Sequence, residues 1–342
     1  MKLSMTLKYA GDPVETIEQA AAMERVGVDV LWVAEAYGFD APTLMGYLAA
    51  RTDRVQIGSG ILNVYSRTPA LMAQTAAGLD AISGGRGILG LGASGPQVIE
   101  GFHGVPYERP LARTRDVIEI VRQGLRREPL RYEGRTTTVP LPADQGTGLG
   151  KPLKMLTKPL RDSIPIYLAA LGAKNVELAA ELAEGWLPLF YLPERAKETW
   201  GEAVAAGQAR RAPERGALQV VAGGILAIGE NRDELRDLAR PHLALYVGGM
   251  GAKGRNFYND LVRRYGFEKE AEQIQELYLS GRKAEAIAAV PDELVDLTNL
   301  IGPESFVQER IAAYRESGVT MLNLDPAGAD PVAAMEKVRG WL

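Results

Sequence analysis

A glycine-rich turn near the middle of the chain could bind an anion. Gly172, Ala173, Lys174 and Asn175 follow a predicted strand and open a predicted helix. The first turn of a helix leaves backbone N–H groups free and carries the positive end of the helix dipole, and Lys174 would add a point charge. The segment can equally be a plain strand-to-helix turn in which Gly172 relieves strain and Lys174 is solvated. Taken alone, the segment leaves both interpretations open.

A second turn consists of small residues. Ala93, Ser94 and Gly95 follow another apolar segment, and their size would let a flat ring or a phosphate lie close to the main chain. Glycine-rich turns are common at strand ends, so the motif is weak by itself.

A third turn could support a planar heterocycle. Ser59, Gly60 and Ile61 follow an apolar strand and lead to Asn63. A glycine followed by apolar residues at the end of a barrel strand can form a backbone bulge that backs such a ring. The alternative is that Ile61 and its neighbour Leu62 simply continue the strand.

One carboxylate and one histidine are candidates for proton transfer. Glu35 directly follows an apolar strand, where it could accept a hydrogen bond from a ring or a substrate, or act as a general acid–base. A helix-initiating or salt-bridged surface glutamate is the alternative. His103, in the sequence GFHGVPY, could be catalytic, although a histidine packed within a loop is the plainer interpretation.

Several kinds of chemistry are excluded. The chain has no cysteine, so disulfides, thiolate metal sites and cysteine nucleophiles are ruled out. Its two histidines, His103 and His242, lie in different segments without companion ligands at metal spacing, so we predict no metal site. The G-x-S-x-G motif of hydrolases, the Walker loop and a correctly placed G-x-G-x-x-G fingerprint are also missing.

The elements that would position these residues alternate along the chain. Short apolar segments rich in β-branched residues alternate with longer amphipathic ones, which is typical of βα units around a parallel sheet. Eight strands are predicted, at residues 3–7, 30–33, 55–58, 88–91, 164–169, 185–189, 218–228 and 320–324. Helices are predicted at residues 13–26, 42–51, 69–82, 111–125, 173–183, 193–211, 232–246, 268–279, 284–290, 305–317 and 331–342. Eight strands with helical crossovers fit a closed (β/α)8 barrel better than an open doubly wound sheet.

Two segments interrupt this alternation. Residues 128–163 contain a predicted hairpin at 130–139, followed by a stretch rich in glycine and proline, and residues 248–300 form a second insertion. We therefore predict one α/β domain over residues 1–342, a TIM barrel with insertions at about 128–163 and 248–300. The active site of such a barrel lies at the carboxyl ends of the strands, which is where the three turns, Glu35 and Asn63 are placed.

Composition limits the partners and the location. The chain has 342 residues, of which 46% are hydrophobic, and a net charge of -4. This charge gives no basic footprint for nucleic acid and no polybasic membrane patch. No apolar stretch approaches the ~20 residues needed to span a bilayer, and no signal peptide is apparent. We expect a cytoplasmic protein with a small-molecule substrate that binds neither nucleic acid nor membrane.

Two long segments resemble a known family. Residues 57–122, whose most specific part is SGGRGILGLGASGPQVIEGFHGVPY, resemble the luciferase-like (bacterial luciferase) superfamily, in particular its coenzyme F420-dependent members. Residues 166–186, IYLAALGAKNVELAAELAEGW, resemble the same group, which includes methylenetetrahydromethanopterin reductase. The opening segment and GVTMLNLDP near the end resemble it more loosely.

The resemblance implies a luciferase-like barrel that binds a deazaflavin at its mouth and forms a homodimer. It implies a bulge at Gly60–Ile61, with a non-prolyl cis peptide bond at or beside it, behind the ring. The turn of Ala93, Ser94 and Gly95, together with Ser59, would contact the coenzyme. The residues Gly172, Ala173, Lys174 and Asn175 would bind its phosphate, and Glu35 and Asn63 would lie near the ring or the substrate.

The chain departs from the family's sugar-phosphate dehydrogenases, which place a histidine soon after the second strand. Here Glu35-Ala36-Tyr37 stands in that place, and Pro96-Gln97 replaces the catalytic glutamate of those enzymes. We therefore expect hydride transfer that reduces a C=C or C=N bond. Glu35 is the first candidate to deliver the proton, ahead of Tyr37 and His103.

Three alternatives differ from this expectation in cofactor or in chemistry. The chain could be an FMN-dependent luciferase-like monooxygenase, or a deazaflavin-binding protein without turnover. A barrel aldolase or isomerase is a third alternative, for which the sequence offers no suitably placed lysine or carboxylate pair.

Overall fold

Parallel strands close into a barrel that helices surround in the computed structural model, which describes residues 1–7 and 12–342. The strands are β1 (Lys2–Leu7), β2 (Val30–Val33), β3 (Gln56–Ser59), β4 (Leu62–Asn63), β5 (Gly87–Gly92), β6 (Tyr132–Glu133), β7 (Thr138–Val139), β8 (Ile166–Ala169), β9 (Gly185–Leu187), β10 (Gln219–Ile228), β11 (Leu300–Gly302) and β12 (Met321–Pro326).

The helices mostly follow the strands. They are α1 (Pro13–Arg25), α2 (Ala41–Arg51), α3 (Pro69–Ile82), α4 (Pro96–Gly101), α5 (Pro110–Leu125), α6 (Ala173–Leu182), α7 (Pro193–Gln208), α8 (Arg232–Arg236), α9 (Arg240–Ala244), α10 (Phe257–Arg264), α11 (Glu268–Leu279), α12 (Lys283–Ala288), α13 (Asp292–Thr298), α14 (Glu304–Glu316) and α15 (Pro331–Trp341). Among these residues, no helix combines the length and the apolar composition that crossing a bilayer requires.

The predicted (β/α)8 barrel is confirmed. The ring runs β1-β2-β3-β5-β8-β9-β10-β12 and closes where β12 pairs with β1, and all of these pairings are parallel. β4 continues β3 along the same edge of β5, and β11 adds to the far end of β10. In a parallel barrel all strands point the same way, so their carboxyl ends form one mouth.

Local sequence signals explain where several helices begin. The side chains of Asp12, Asp40 and Thr68 accept hydrogen bonds from the first turns of α1, α2 and α3. Each of these helices also has a proline at its first or second position, where the missing N–H costs nothing. The capping residues thus fix the points at which the chain turns from the mouth into the outer layer.

Apolar side chains form two separate clusters. The larger cluster packs the outer faces of the strands against the helices. The smaller cluster lies inside the barrel and comes from alternate residues of its strands: Val30, Trp32, Ile88, Tyr167, Val221 and Met321. The interior is therefore packed below the mouth, as the alternation of side chains along a strand requires.

The two predicted insertions differ in structure. The hairpin at 130–139 is confirmed by the antiparallel pair β6 and β7. The rest of that segment is held to the barrel by Arg161, whose Nε lies 3.0 Å from both carboxylate oxygens of the buried Asp80. The second segment contains α10, α11, α12 and α13.

Some element predictions were wrong. The helix predicted at 232–246 is divided into α8, α9 and a wider π-helical turn at Leu245–Gly249. Pro241 lies in the first turn of α9, where it cannot continue an upstream helix. The prediction also missed α4, α10, α13 and the three-residue strand β11, which are too short to show a clear period.

Gly90 on β5 offers a direct test of strand packing. A Cβ at this position would lie 1.8 Å from the carbonyl oxygen of Ser59. A Cβ on Gly78, within α3, would meet no atom of the described residues within 4 Å, apart from its chain neighbours and the backbone of its own helix. We expect Gly90→Ala to lower the free energy of unfolding by at least about 3 kcal/mol. Gly78→Ala should raise it by about 0.5–1 kcal/mol, because alanine is the better helix former. Urea unfolding followed by circular dichroism measures both values, and equal effects would contradict the described packing.

Candidate active site at the barrel mouth

The strand composed of β3 and β4 contains one extra residue. Ile57 and Gly58 pair with Gly87 and Ile88, but Leu62 pairs with Leu91. The strand therefore advances five residues while β5 advances four, which defines a β-bulge between β3 and β4. The peptide bond between Gly60 and Ile61 is cis. Both the bulge and the non-prolyl cis bond were predicted at this place, and both are confirmed.

The side chain of Ser59 replaces the hydrogen bonds that the bulge interrupts. Its hydroxyl donates to the carbonyl oxygen of Gly90 at 2.8 Å and accepts from the N–H of Gly90 at 2.9 Å. Ser59 is fully buried, so it cannot contact a ligand by its side chain. Ser59 supports the bulge, and the partly exposed Ile61 presents an apolar side chain at the mouth.

The turn of Ala93, Ser94 and Gly95 lies beside the bulge because β4 pairs with the end of β5. Ser94 is exposed and has a left-handed backbone, with φ 58°. The hydroxyl of Tyr107 donates to the carbonyl oxygen of Ser94 at 3.2 Å. The three residues thus form a small-residue wall at the mouth whose position is held by the loop that follows α4.

Two tyrosines anchor that loop. Tyr107 stacks on Tyr65, with ring centroids 5.2 Å apart, and the Tyr65 hydroxyl donates to the carbonyl oxygen of Glu108. Burial raises the pKa of Tyr107 to about 12, so its hydroxyl stays protonated and able to donate at neutral pH. The loop carries Phe102 and His103 above the end of β4.

Asn63 and His103 are in contact. Asn63 Nδ2 lies 3.2 Å from His103 Nε2, while Asn63 Oδ1 accepts hydrogen bonds from the N–H groups of Tyr65 and Ser66. The predicted site residue Asn63 therefore both shapes the turn after β4 and fixes a histidine at the mouth.

Glu35 is buried in an ion pair. Its two carboxylate oxygens accept hydrogen bonds from the Arg67 guanidinium at 2.8 and 2.6 Å, and one of them also accepts from the N–H of Ala41 at 3.1 Å. The side chains of Arg67 and Glu35 are 14% and 8% exposed. The hydrogen bonds that Arg67 donates to Glu35 raise the pKa of Arg67. The pair ties the turn after β2 to the turn after β4.

The turn of Gly172, Ala173, Lys174 and Asn175 has free donors. Within the described residues, the N–H groups of Gly172, Ala173 and Lys174 form no hydrogen bond, since the first backbone bonds of the turn come from Asn175 and Val176. Apart from its two chain neighbours, no described residue has an atom within 4 Å of a Cβ built on Gly172. The Lys174 ammonium, however, pairs with Glu177 at 2.8 Å, and its side chain is 77% exposed.

A cavity of about 330 Å³ opens at this turn. It is lined by Leu171, Gly172, Phe257, Asp260, Arg263 and Arg264. No pattern in the sequence indicates that α10, within residues 248–300, would bring two arginines to the start of α6. Arg67, which binds Glu35, was missed for the same reason, because its partner lies 32 residues away in the chain.

Another cavity, of about 1040 Å³, lies elsewhere. It is on the outside of the barrel between α5, the β6–β7 hairpin and α6. Its side chains are tied into ion pairs, such as Arg115 with Glu181 and Arg210 with Glu177 and Glu181. It includes Lys174 but no other predicted site residue. Across residues 1–7 and 12–342, no group of three or more histidine or acidic side chains is arranged to hold a metal ion.

The ion pair of Glu35 should contribute to stability. We expect Glu35→Ala to lower the free energy of unfolding by about 3–5 kcal/mol, because it leaves the buried Arg67 charge uncompensated. Removing Glu128 from its exposed pair with Arg126 should change this free energy very little. Urea unfolding compares the two variants, and a Glu35→Ala protein as stable as the Glu128→Ala protein would contradict the structural role of the pair.

Comparisons with known proteins agree with this architecture. Residues 1–321 match the family model described as "Luciferase-like monooxygenase". A candidate coenzyme F420-dependent oxidoreductase of Mycobacterium tuberculosis, Rv3520c, is 43% identical over 338 residues, which is 97% of each chain. The 5,10-methylenetetrahydromethanopterin reductase of Archaeoglobus fulgidus is 30% identical over 92% of this chain and 90% of its own.

A solved structure has the same fold. The coenzyme F420-dependent tetrahydromethanopterin reductase from Methanopyrus kandleri superposes with a TM-score of 0.82 at 24% identity, over 99% of this chain and 97% of that one. The family match and the identity to Rv3520c extend over nearly the whole chain. The chain therefore belongs to the luciferase-like family of barrel oxidoreductases.

Proposed function

We propose that this chain is a coenzyme F420-dependent oxidoreductase that reduces a C=C or C=N bond of a small organic substrate. The observation that carries the proposal is the β-bulge between β3 and β4, at the place where the resemblance to F420-dependent enzymes puts the support for the ring. The 43% identity to a relative named for F420 dependence adds support.

The ring of the coenzyme would lie between two turns. The bulge at Gly60 and Ile61 would back it, and the wall of Ala93, Ser94 and Gly95 would bound one edge. The apolar side chain of Ile61 packs beside β5, since its Cδ1 lies 3.0 Å from a Cβ built on Gly92. A bulge held by buried hydrogen bonds is rigid, which suits a surface that must hold a flat ring in one position.

The phosphate of the coenzyme would bind at the start of α6. The free N–H groups of Gly172, Ala173 and Lys174 lie at the positive end of the helix dipole. Arg263 and Arg264 line the same cavity as Gly172 and would add charge. We assign Lys174 a smaller contribution, because Glu177 already neutralises it. Asn175, whose N–H is used within the turn, would contribute through its side chain.

The bound coenzyme supplies a hydride, and the chain supplies position and surroundings. The substrate would lie on the open side of the ring, with its acceptor carbon within ~3–3.5 Å of the donor carbon. Tyr37 and Phe102, whose ring centroids are 6.3 Å apart, form an apolar rim that favours a flat, unsaturated substrate. The reaction also needs a proton, and the sequence makes Glu35 the first candidate to deliver it.

The hydrogen bonds of Glu35 decide whether it can deliver this proton. Both carboxylate oxygens of Glu35 already accept hydrogen bonds, two from the Arg67 guanidinium and one from the N–H of Ala41, so neither oxygen is free to reach a substrate. Glu35 could donate only after Arg67 releases it. We therefore propose that Glu35 mainly fixes the turn of Ala36 and Tyr37 beside the site.

We also propose that the chain forms a homodimer. Exposed apolar side chains on neighbouring helices, Val14 on α1, Tyr47 on α2, and Leu71 and Ile82 on α3, provide a face that a second copy could cover. Static light scattering should give twice the mass of one chain, and a monomer at micromolar concentration would contradict the proposal.

Coenzyme binding tests the phosphate site. We expect the purified protein to bind F420 in preference to FMN, and Arg264→Ala to weaken F420 binding about 10-fold through the loss of one charged contact. Lys174→Ala, which removes a charge that is already paired, should have a smaller effect. Fluorescence titration of the coenzyme measures all three values. Preference for FMN would favour the monooxygenase alternative, and failure to bind either coenzyme would contradict the proposed function.

Reoxidation of bound, reduced F420 tests turnover. A panel of activated C=C and C=N compounds, beginning with 2-cyclohexen-1-one, should restore the absorbance of the oxidised coenzyme. We expect Glu35→Gln to leave kcat largely unchanged, because we propose that Glu35 mainly fixes the turn beside the site. Loss of turnover at unchanged coenzyme affinity would contradict this and would identify Glu35 as the proton donor. A protein that binds F420 but oxidises it with no compound of the panel would support a binding protein without turnover.

A further inference from the structure

We infer that His103 is a catalytic residue that donates a hydrogen bond from Nδ1 to the substrate, and that Asn63 is the positioning residue that selects this form of the ring. The inference rests on the proposed function, because the substrate is that of the proposed reduction. The sequence-based prediction names His103, with Glu35 and Tyr37, as a candidate proton donor. The role inferred here is different, because His103 donates a hydrogen bond and keeps its proton.

The orientation of the Asn63 amide is determined by the backbone. Its oxygen accepts from the N–H of Tyr65 at 3.0 Å and from the N–H of Ser66 at 2.8 Å. An amide turned the other way would place its NH2 group against two N–H groups. Asn63 is 4% exposed, so water cannot compensate such a reversal. The amide nitrogen must therefore face His103.

The orientation of the amide fixes the tautomer of His103. The amide nitrogen only donates, so the Nε2 atom at 3.2 Å must accept. The ring proton then lies on Nδ1, and the ring is neutral in this contact, because an imidazolium would put an N–H against an NH2 group. The tautomer of His103 is therefore determined by the two backbone hydrogen bonds that orient the Asn63 amide, although neither of them involves the histidine itself.

The donor atom of His103 is open to a ligand. In the part of the chain that the structure describes, the Nδ1 atom of His103 forms no hydrogen bond. This atom is not buried, so a ligand can reach it. The neighbouring Phe102 ring meets the histidine edge-on at 5.1 Å and is 63% exposed. Across from it, Tyr37 is 56% exposed. A flat substrate resting on these rings would reach the Nδ1–H.

His103 lies beside the place where the substrate of the proposed reduction would bind. It contacts the last residue of β4, directly after the bulge and beside the end of β5. In the reduction, the substrate carbon gains a hydride, which is one hydrogen with two electrons, from the reduced coenzyme. In a C=N bond the π electrons move to the nitrogen, which then takes a proton from water. In a C=C bond conjugated with a carbonyl group they move to the carbonyl oxygen, and the resulting enolate takes a proton from water at the carbon next to the carbonyl group.

His103 would stabilise the atom that receives the electrons. A neutral imidazole cannot readily give up its remaining proton, but its N–H is an effective hydrogen-bond donor to developing negative charge. Because Asn63 holds the ring before the substrate binds, the donor needs no rearrangement during the reaction. The coenzyme loses two electrons and the substrate gains two, so no further oxidant or reductant is required.

Nitrogen NMR of the coenzyme-free protein tests the tautomer directly. The chain has two histidines, and signals that disappear in His103→Gln belong to His103. We expect a protonated Nδ1 and an unprotonated Nε2 at pH 7. In Asn63→Asp, one carboxylate oxygen can still accept from Tyr65 and Ser66 while the other accepts from His103, so Nε2 should become protonated. A wild-type spectrum in which Nε2 carries the proton overturns the inference, whether or not the protein binds and reoxidises F420.

Kinetics tests the role of the donor on whichever compound of the panel reoxidises bound F420 fastest. An amide on His103→Asn can occupy the place of Nδ1, whereas the amide of His103→Gln reaches the place of Nε2. We expect His103→Gln to lower kcat about 100-fold, a loss typical of one such donor, and His103→Asn to lower it less. Asn63→Asp should resemble His103→Gln.

Binding separates this inference from the proposed function. F420 affinity should be the same in wild type, His103→Gln and His103→Asn, with unchanged circular dichroism. A His103→Gln protein as active as wild type would overturn the catalytic role even if F420 binds and turns over. If no compound reoxidises the coenzyme in wild type, the proposed function fails, while the NMR spectra still decide whether Asn63 sets the tautomer.

Discussion

One extra residue in a closed barrel is the constraint on which the mouth depends. A closed ring of parallel strands has no free edge to absorb a change of register, so the bulge between β3 and β4 must be accommodated locally. Ser59 does this by donating to and accepting from the backbone of Gly90. Gly90 must itself be a glycine, because a Cβ there would collide with the carbonyl oxygen of Ser59. The bulge, the hydroxyl and the glycine form one unit.

The loops of the mouth are built on this unit. Asn63 ends β4 and shapes the next turn through two backbone hydrogen bonds. That turn leads to Arg67, which reaches back to Glu35 and so joins the turns after β2 and β4. Tyr65, in the same turn, stacks on Tyr107 and holds the loop of His103 in place. A shift at the bulge would therefore move three loops together.

The sequence contains two kinds of structural signal, local patterns and family resemblance. The strands, most helices and the hairpin could be predicted because their residues are neighbours in the chain, and periodicity, caps and prolines report on neighbours. The bulge at Gly60 and Ile61 could be predicted from family resemblance, since spacing alone left a continued strand equally possible. By contrast, α8 and α9 were predicted as one helix because amphipathic spacing continued past the break at Pro241.

The sequence by itself determined the class of fold, the absence of cysteine chemistry and the turns that face the mouth, because alternating strands and helices permit few arrangements. Only the tertiary structure decided which side chains meet there. The sequence left open whether Glu35 is a general acid–base or a salt-bridged glutamate, and only the fold shows that Arg67, 32 residues away, binds both of its oxygens. His103 looked like a loop histidine until Asn63, 40 residues away, fixed its ring. Such pairs join strand ends distant in sequence, and no local pattern carries that information.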